Sequence, residues 1–122
     1  MSVTSFKDLP LAERDREWDA DAAENRIRAW ASAERAPNQK YRQAHVWFDS
    51  DKKDEFGAYK LPIADIVNGR LEVVPRAVMS AGAVMDGARG GVDLPKGDIG
   101  RVKSHLAKYY RKMGEDPPWD RS

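Results

Sequence analysis

The sequence has no cysteine among its 122 residues. This absence excludes disulfides, thiol nucleophiles, zinc–thiolate sites and iron–sulfur clusters together. An excess of charge of one sign is also missing, because 21 basic residues stand against 20 acidic ones, a formal net charge of +1. A protein that coats nucleic acid needs a clear basic excess for its phosphate contacts, so this balance argues against that class.

Long apolar runs are absent as well. Residues 1–11 contain no apolar region of the kind that a signal peptide needs. The weakly polar stretch 73–88 is interrupted by proline, glycine and two charged residues, and it is too short to cross a bilayer. We therefore expect a cytoplasmic protein, or one inside a particle that the cytoplasm assembles. The chain length is typical of one domain.

Apolar spacing predicts three helices. Small and apolar residues recur at intervals of three and four over about 20–33, after Asp19 or Asp21 as an N-cap. A second helix begins at Pro75, which suits a first helical position, and ends at the glycine-rich stretch 87–91. The last helix runs over about 95–113 and has the cleanest 3.6-residue period.

The strand signals are short. Residues 41–48 are aromatic and β-branched, which favours a strand. The runs 59–67 and 70–74 flank Asn68–Gly69, a strong hairpin signal, and Pro62 indicates an edge or a bulge. We therefore predict an α+β two-layer sandwich, in which about three helices cover a short antiparallel sheet of about three strands.

We interpret the two ends of the chain as segments attached to this domain. We predict a charged N-terminal arm over 1–18, a single domain over 19–114 and a proline- and tryptophan-containing tail over 115–122. Trp18 and Trp119 lie at these margins, where they either clip the ends onto the domain or insert into a partner. We expect both end segments to be dispensable for folding.

Catalytic and cofactor motifs are few. His45 and His105 are the only histidines, and neither has a second histidine or a carboxylate at ligand spacing in the sequence. The glycine-rich stretch 87–91 lacks the spacing of a phosphate-binding loop and is read as a helix end. We predict a non-enzymatic protein with no cofactor and no metal. A hydrolase would require a structure that brings a histidine and a carboxylate into one cleft.

The last helix carries five cations and no acid between residues 101 and 113. One interpretation is a basic face that meets phosphates or an acidic protein surface. The other is that Tyr109 and Tyr110 belong to the core while the cations complement the helix dipole. The candidate partner-binding residues are Trp18, Trp119, Arg101, Lys103, Lys108, Arg111 and Lys112.

Four strings carry a resemblance: YKLPIADIVNG at 59–69, VPRA at 74–77, GARGGVDLP at 87–95 and HLAKYYRKM at 105–113. They resemble a small domain of tailed-phage and prophage head-region genes, which occurs alone or appended to head-maturation (prohead) protease and capsid-region proteins. REWDADAA at 16–23 and YRQAH at 41–45 resemble it too, so the likeness covers about 14–119.

The resemblance implies a phage head-associated structural protein: a minor capsid, decoration or assembly protein. It implies the major capsid protein or other head proteins as partners, with homo-oligomers possible and no membrane. The location would be the host cytoplasm during assembly and the virion head thereafter. No protease activity is carried over, because the chain lacks the length and the motifs of that enzyme. The alternative function is a nucleic-acid-binding module that uses the basic face of the last helix.

Overall fold

A computed structural model describes residues 2–120; Met1, Arg121 and Ser122 lie outside the described residues. The fold is α+β, as predicted. Its helices are α1 (Ala20–Trp30), α2 (Gln39–Arg42), α3 (Pro75–Met85) and α4 (Lys96–Lys112). Its strands are β1 (Ser2–Val3), β2 (His45–Phe48), β3 (Tyr59–Pro62), β4 (Ala64–Val67) and β5 (Arg70–Val73). Within residues 2–120, no helix has the length and apolar character to span a membrane.

The strands form two small antiparallel sheets rather than the single sheet that we predicted. One has the order β1-β2-β3, and the other is the hairpin of β4 and β5. Asn68 (φ 52°) and Gly69 (φ 82°) both take the left-handed conformation that a two-residue hairpin turn requires, which confirms the hairpin.

The predicted strand 59–67 is divided at Ile63. Leu61 has a positive φ of 59°, and Pro62 has no N–H to donate to a ladder. The Ile63 amide therefore donates a hydrogen bond to the Ala44 carbonyl, and the Ile63 carbonyl accepts one from the Val74 amide. As a result β3 pairs with β2 and β4 pairs with β5.

The prediction of a strand from residue 41 was wrong at its start. Tyr41 lies in α2, because the Asn38 side chain accepts a hydrogen bond from the Tyr41 amide (2.9 Å) and so caps a short helix. The Asn38 amide group also donates to the Ala31 carbonyl, which ties the loop to the end of α1. The strand itself begins only at His45.

The three long helices, α1, α3 and α4, contribute buried side chains to the core. Asp19 caps α1 by accepting from the Ala22 amide (3.1 Å), and α1 buries Ala23 and Ile27. Helix α3 packs on α4 so closely that a Cβ at Gly82 would clash with the Tyr110 hydroxyl. Tyr109 and Tyr110 are each 1% exposed, which confirms that both tyrosines belong to the core.

The N-terminal segment is built into the fold, which contradicts its description as an arm. Strand β1 pairs with β2, and Leu9 and Ala12 are buried at 8% and 7% exposure. Backbone hydrogen bonds join Ala12 N to Val73 O and Val73 N to Pro10 O. Because these contacts complete both a sheet edge and the core, we now expect this segment to be needed for folding.

Candidate functional site

Helix α4 positions five of the predicted binding residues. Its buried side consists of Val102, Leu106, Tyr109 and Tyr110, all at 0–1% exposure. Arg101, Lys108 and Lys112 lie on one flank of that buried side, beside the N-terminal segment, whereas Lys103 lies on the other flank beside Trp119. The 3.6-residue period of the helix is the signal that could have predicted this division.

The first flank carries Arg101 and Lys108. The Arg101 guanidinium donates to Asp98 Oδ1 (2.8 Å), and its side chain remains 70% exposed. The Lys108 ammonium lies 4.7 Å from the centroid of the Phe6 ring. Both side chains line a small groove of about 200 Å³ against the N-terminal segment.

The second flank carries Lys103 and the C-terminal tail. The Lys103 ammonium lies 5.4 Å from the centroid of the Trp119 ring, and Trp119 meets Tyr110 edge-on with 6.1 Å between ring centroids. Trp119 is therefore half-buried against the core. This position fits the interpretation of Trp119 as a clip for the chain end.

The C-terminal end of α4 holds the N-terminal segment. The Lys112 ammonium donates to Asp8 Oδ1 (2.7 Å) and to the Leu9 carbonyl (2.8 Å). The Tyr109 hydroxyl donates to the Lys7 carbonyl (2.5 Å). Arg111 is exposed and has no acidic partner within residues 2–120.

An ion pair joins the two end segments to each other. Arg14 donates to Glu115 Oε2 (2.9 Å) and to the Met113 carbonyl (3.1 Å). Sequence reasoning missed this pair, because its members are 101 positions apart and opposite charges are common along the chain.

Trp18 lies away from α4. It packs half-buried against the core and lines a groove of about 550 Å³ together with Pro62, Ala77 and Ala81. The structure therefore does not bring Trp18 and Trp119 into one binding surface with the cations.

A second polar cluster surrounds Glu24. The Tyr41 hydroxyl (2.5 Å) and the Arg28 guanidinium (2.8 Å) both donate to Glu24 Oε2. His45 Nε2 lies 3.7 Å from Glu24 Oε1, and His45 Nδ1 lies 3.3 Å from the Tyr41 carbonyl. Arg28 also covers the Phe56 ring at 3.7 Å. The histidine–carboxylate pair that the sequence could not predict therefore exists.

The chemistry of the Glu24 cluster fits a structural role. Burial alone would raise the pKa of Glu24, but the contacts with His45, Tyr41 and Arg28 outweigh it and lower the pKa to about 2. The pKa of Tyr41 is raised by burial and by the adjacent carboxylate. Glu24 and His45 both line a groove of about 290 Å³, but the His45 ring is only 3% exposed, so it offers a substrate little access. The cluster ties α1 to α2 and β2.

His105 is also a structural residue. Its Nδ1 lies 3.0 Å from the Thr4 carbonyl and donates to it, and the ring packs against Phe6. Burial and the nearby Lys108 lower the pKa of His105, which favours the neutral ring at physiological pH. Within residues 2–120 there is no group of three or more potential ligands that could hold a metal ion.

Comparisons with models of protein families, with curated proteins and with solved structures gave no match.

Proposed function

We propose that this chain is a non-enzymatic structural protein of a tailed-phage head, which binds the major capsid protein as a minor capsid, decoration or assembly protein. The resemblance of about 14–119 to a domain of phage head-region genes supports the proposal. The protein would act in the host cytoplasm during assembly and in the virion head thereafter.

The structural observation behind this proposal is the convergence of both end segments on α4. Asp8 is held by Lys112, Arg14 by Glu115, and Trp119 by Tyr110 and Lys103. The exposed groups on these segments are therefore already ordered before a partner arrives. Binding through ordered groups avoids the entropic cost of fixing free arms, and that advantage is repeated in every copy on a symmetric shell.

The character of the surface supports attachment through charges. Among the large hydrophobic side chains of residues 2–120, only Met79 is exposed, at 36%. The contact would therefore resemble the polar rim of an interface rather than an obligate apolar interface.

Co-sedimentation of the purified chain with capsid-protein shells from its source tests the proposal. We expect saturable binding at a simple ratio of copies to capsid subunits. Arg111→Glu should weaken binding, because it reverses an exposed charge on α4. Arg35→Glu is the matched control, since Arg35 is exposed in the loop after α1. Failure of the folded wild-type chain to bind shells would refute the proposal.

The alternative remains a nucleic-acid-binding module on α4. Its difficulty is geometric, because Lys103 lies on the other flank, Arg101 pairs with Asp98 and Lys112 pairs with Asp8. A titration with DNA over a series of salt concentrations tests it, since phosphate binding weakens steeply with salt. If the chain does not bind DNA at low salt, this alternative is refuted.

A further inference from the structure

Two grooves lie on either side of residues 2–7. The larger, of about 490 Å³, separates this segment from α2 and is lined by Ser2, Ser5, Lys7, Gln39, Arg42 and Gln43 together with apolar residues. The smaller, of about 200 Å³, separates the segment from α4 and is lined by Arg101, Ser104 and Lys108. Both grooves are also lined by Val3, Thr4 and Phe6, so residues 2–7 form the ridge between them. We name the two grooves and this ridge the N-terminal basic surface.

The charges on this surface are of one sign. Lys7 and Arg42 line the larger groove, and Arg101 and Lys108 line the smaller one. None of the described residues that line either groove is acidic, although the chain has 20 acidic residues. Asp98, which pairs with Arg101, is itself buried and also accepts from the Trp47 indole (2.8 Å).

Two buried donors on this surface have no acceptor. Arg42 Nε and Thr4 Oγ1 are buried without a hydrogen-bond partner in the described part of the chain. The Arg42 guanidinium carbon lies 4.4 Å from the centroid of the Phe48 ring. Because Arg42 Nε is buried, an acceptor in the groove would meet the terminal nitrogens of the guanidinium, which suit a carboxylate.

The rest of the lining suits a peptide. Hydroxyl groups of Ser2 and Ser5 and amide groups of Gln39 and Gln43 can pair with peptide N–H and C=O groups. A bulky polyanion fits less well, because the two grooves together hold four cations, Lys7, Arg42, Arg101 and Lys108, which is few for a row of phosphate contacts. The formal net charge of +1 also provides little long-range attraction for nucleic acid.

We propose that the N-terminal basic surface binds an acidic peptide segment of a partner protein. Arg42 holds one carboxylate in the larger groove, and Lys108 meets a further carboxylate of the same segment across residues 2–7. The assignment of that segment to the capsid protein rests on the proposed function.

The test uses the full chain and a short fluorescently labelled oligoglutamate peptide, with labelled oligothymidine of equal charge for comparison. Fluorescence anisotropy should give saturable peptide binding that is tighter than oligothymidine binding. Arg42→Gln should weaken peptide binding about tenfold, as expected for the loss of a charge-assisted bidentate contact. Lys108→Gln should weaken it less, and Arg76→Gln, an exposed arginine on α3, should leave it unchanged.

Two results would overturn the inference. One is peptide affinity that Arg42→Gln does not change, and the other is oligothymidine binding that is tighter than peptide binding. If Arg42→Gln unfolds the chain in a thermal scan, Lys7→Gln replaces it, because Lys7 is exposed and the Tyr109 hydroxyl bonds to its backbone carbonyl rather than to its side chain.

Co-sedimentation with shells separates this inference from the proposed function. Shell binding that is equal in wild type and Arg42→Gln refutes the capsid protein as the partner of this surface and leaves the proposed function intact. Peptide binding that depends on Arg42, together with no binding to shells, supports the groove and refutes the capsid protein as its partner.

Discussion

The two end segments have a similar sequence character and different structural roles. Both are charged, both carry a tryptophan, and neither has a clear apolar period. The N-terminal segment contributes strand β1, buries Leu9 and Ala12 and pairs its backbone with Val73. The tail is held mainly by the Trp119 ring against Tyr110 and Lys103. High charge density in the sequence was therefore not a sign of a free arm. The N-terminal segment belongs to the fold because its scattered apolar residues reach the core.

Deleting each segment in turn tests this comparison. Of all the variants, these deletions should have the largest effect on the stability of the fold. Removal of residues 1–18 should abolish cooperative unfolding, because it takes away a strand and the buried Leu9, and one such leucine alone is worth about 2–5 kcal/mol. Removal of residues 116–122 should leave a cooperative transition at a lower midpoint. Circular dichroism during thermal unfolding measures both. A cooperative transition in the first variant would show that the segment is only attached to the domain.

The second prediction concerns the ion-pair site through which the N-terminal segment meets α1 and β4. Asp65 is buried and accepts from Arg26 (2.9 and 2.8 Å) and from Arg16 (3.2 Å). Asp65→Asn should destabilise the fold by about 3 kcal/mol, because two guanidinium groups lose their counter-charge. Arg16→Gln should have a smaller effect, since Arg26 still binds the carboxylate through two hydrogen bonds. Urea unfolding at neutral pH measures both variants.

The pH dependence of stability provides an independent test of the contribution of Asp65. Burial would raise its pKa, but the hydrogen bonds from Arg26, from the Ile66 amide and from Arg16 lower the pKa below its ordinary value. The stabilisation is therefore complete above the unfolded-state pKa of about 4 and is lost as the pH falls through the lower folded-state pKa. Asp65→Asn should remove this part of the acid sensitivity. An unchanged acid profile in the variant would mean that other carboxylates dominate it.

Local signals predicted much of the fold. The turn Asn68–Gly69, the cap at Asp19 and the period of α4 each act within a few residues, so the sequence displays them directly. The division of the strand at Leu61 and Pro62 depends on which carbonyl the Ile63 amide meets, which is a tertiary property. The capping of α2 by Asn38 was a local signal that the apolar character of residues 41–48 concealed.

The candidate site was harder to predict than the fold. The cations of α4 could be named from the sequence, but their partners Asp8, Phe6 and Trp119 come from distant segments. Arg42 was overlooked because it stood inside a predicted strand, and its neighbours in the groove come from residues 2–7. Contacts between distant segments become visible only when the chain is folded.

The third prediction concerns how much the contacts of Trp119 contribute to the stability of the fold. Trp119→Ala should destabilise the fold by about 1–2 kcal/mol, less than the 3–5 kcal/mol of a fully buried tryptophan, because the ring is half-buried. Trp119→Phe should recover more than half of that loss, since it keeps an aromatic edge for Tyr110. The midpoint of urea unfolding reports both values. An effect as large as that of the Asp65 variant would mean that the tail is as integral as the N-terminal segment.

The smallest effect is expected where the two segments meet each other. Arg14 and Glu115 form an exposed pair, with side chains 54% and 39% exposed. A double-mutant cycle of Arg14→Gln and Glu115→Gln should give a coupling of about 0.2–1 kcal/mol, which falls with added salt because exposed charges are screened. The hydrogen bond from Arg14 to the Met113 carbonyl does not involve Glu115, so it should cancel in the cycle and leave the carboxylate contact isolated. A small coupling means that each segment is held by its own packing and that a partner could displace the tail without loosening the N-terminal segment. A coupling that is large and insensitive to salt would instead make the two ends one structural unit.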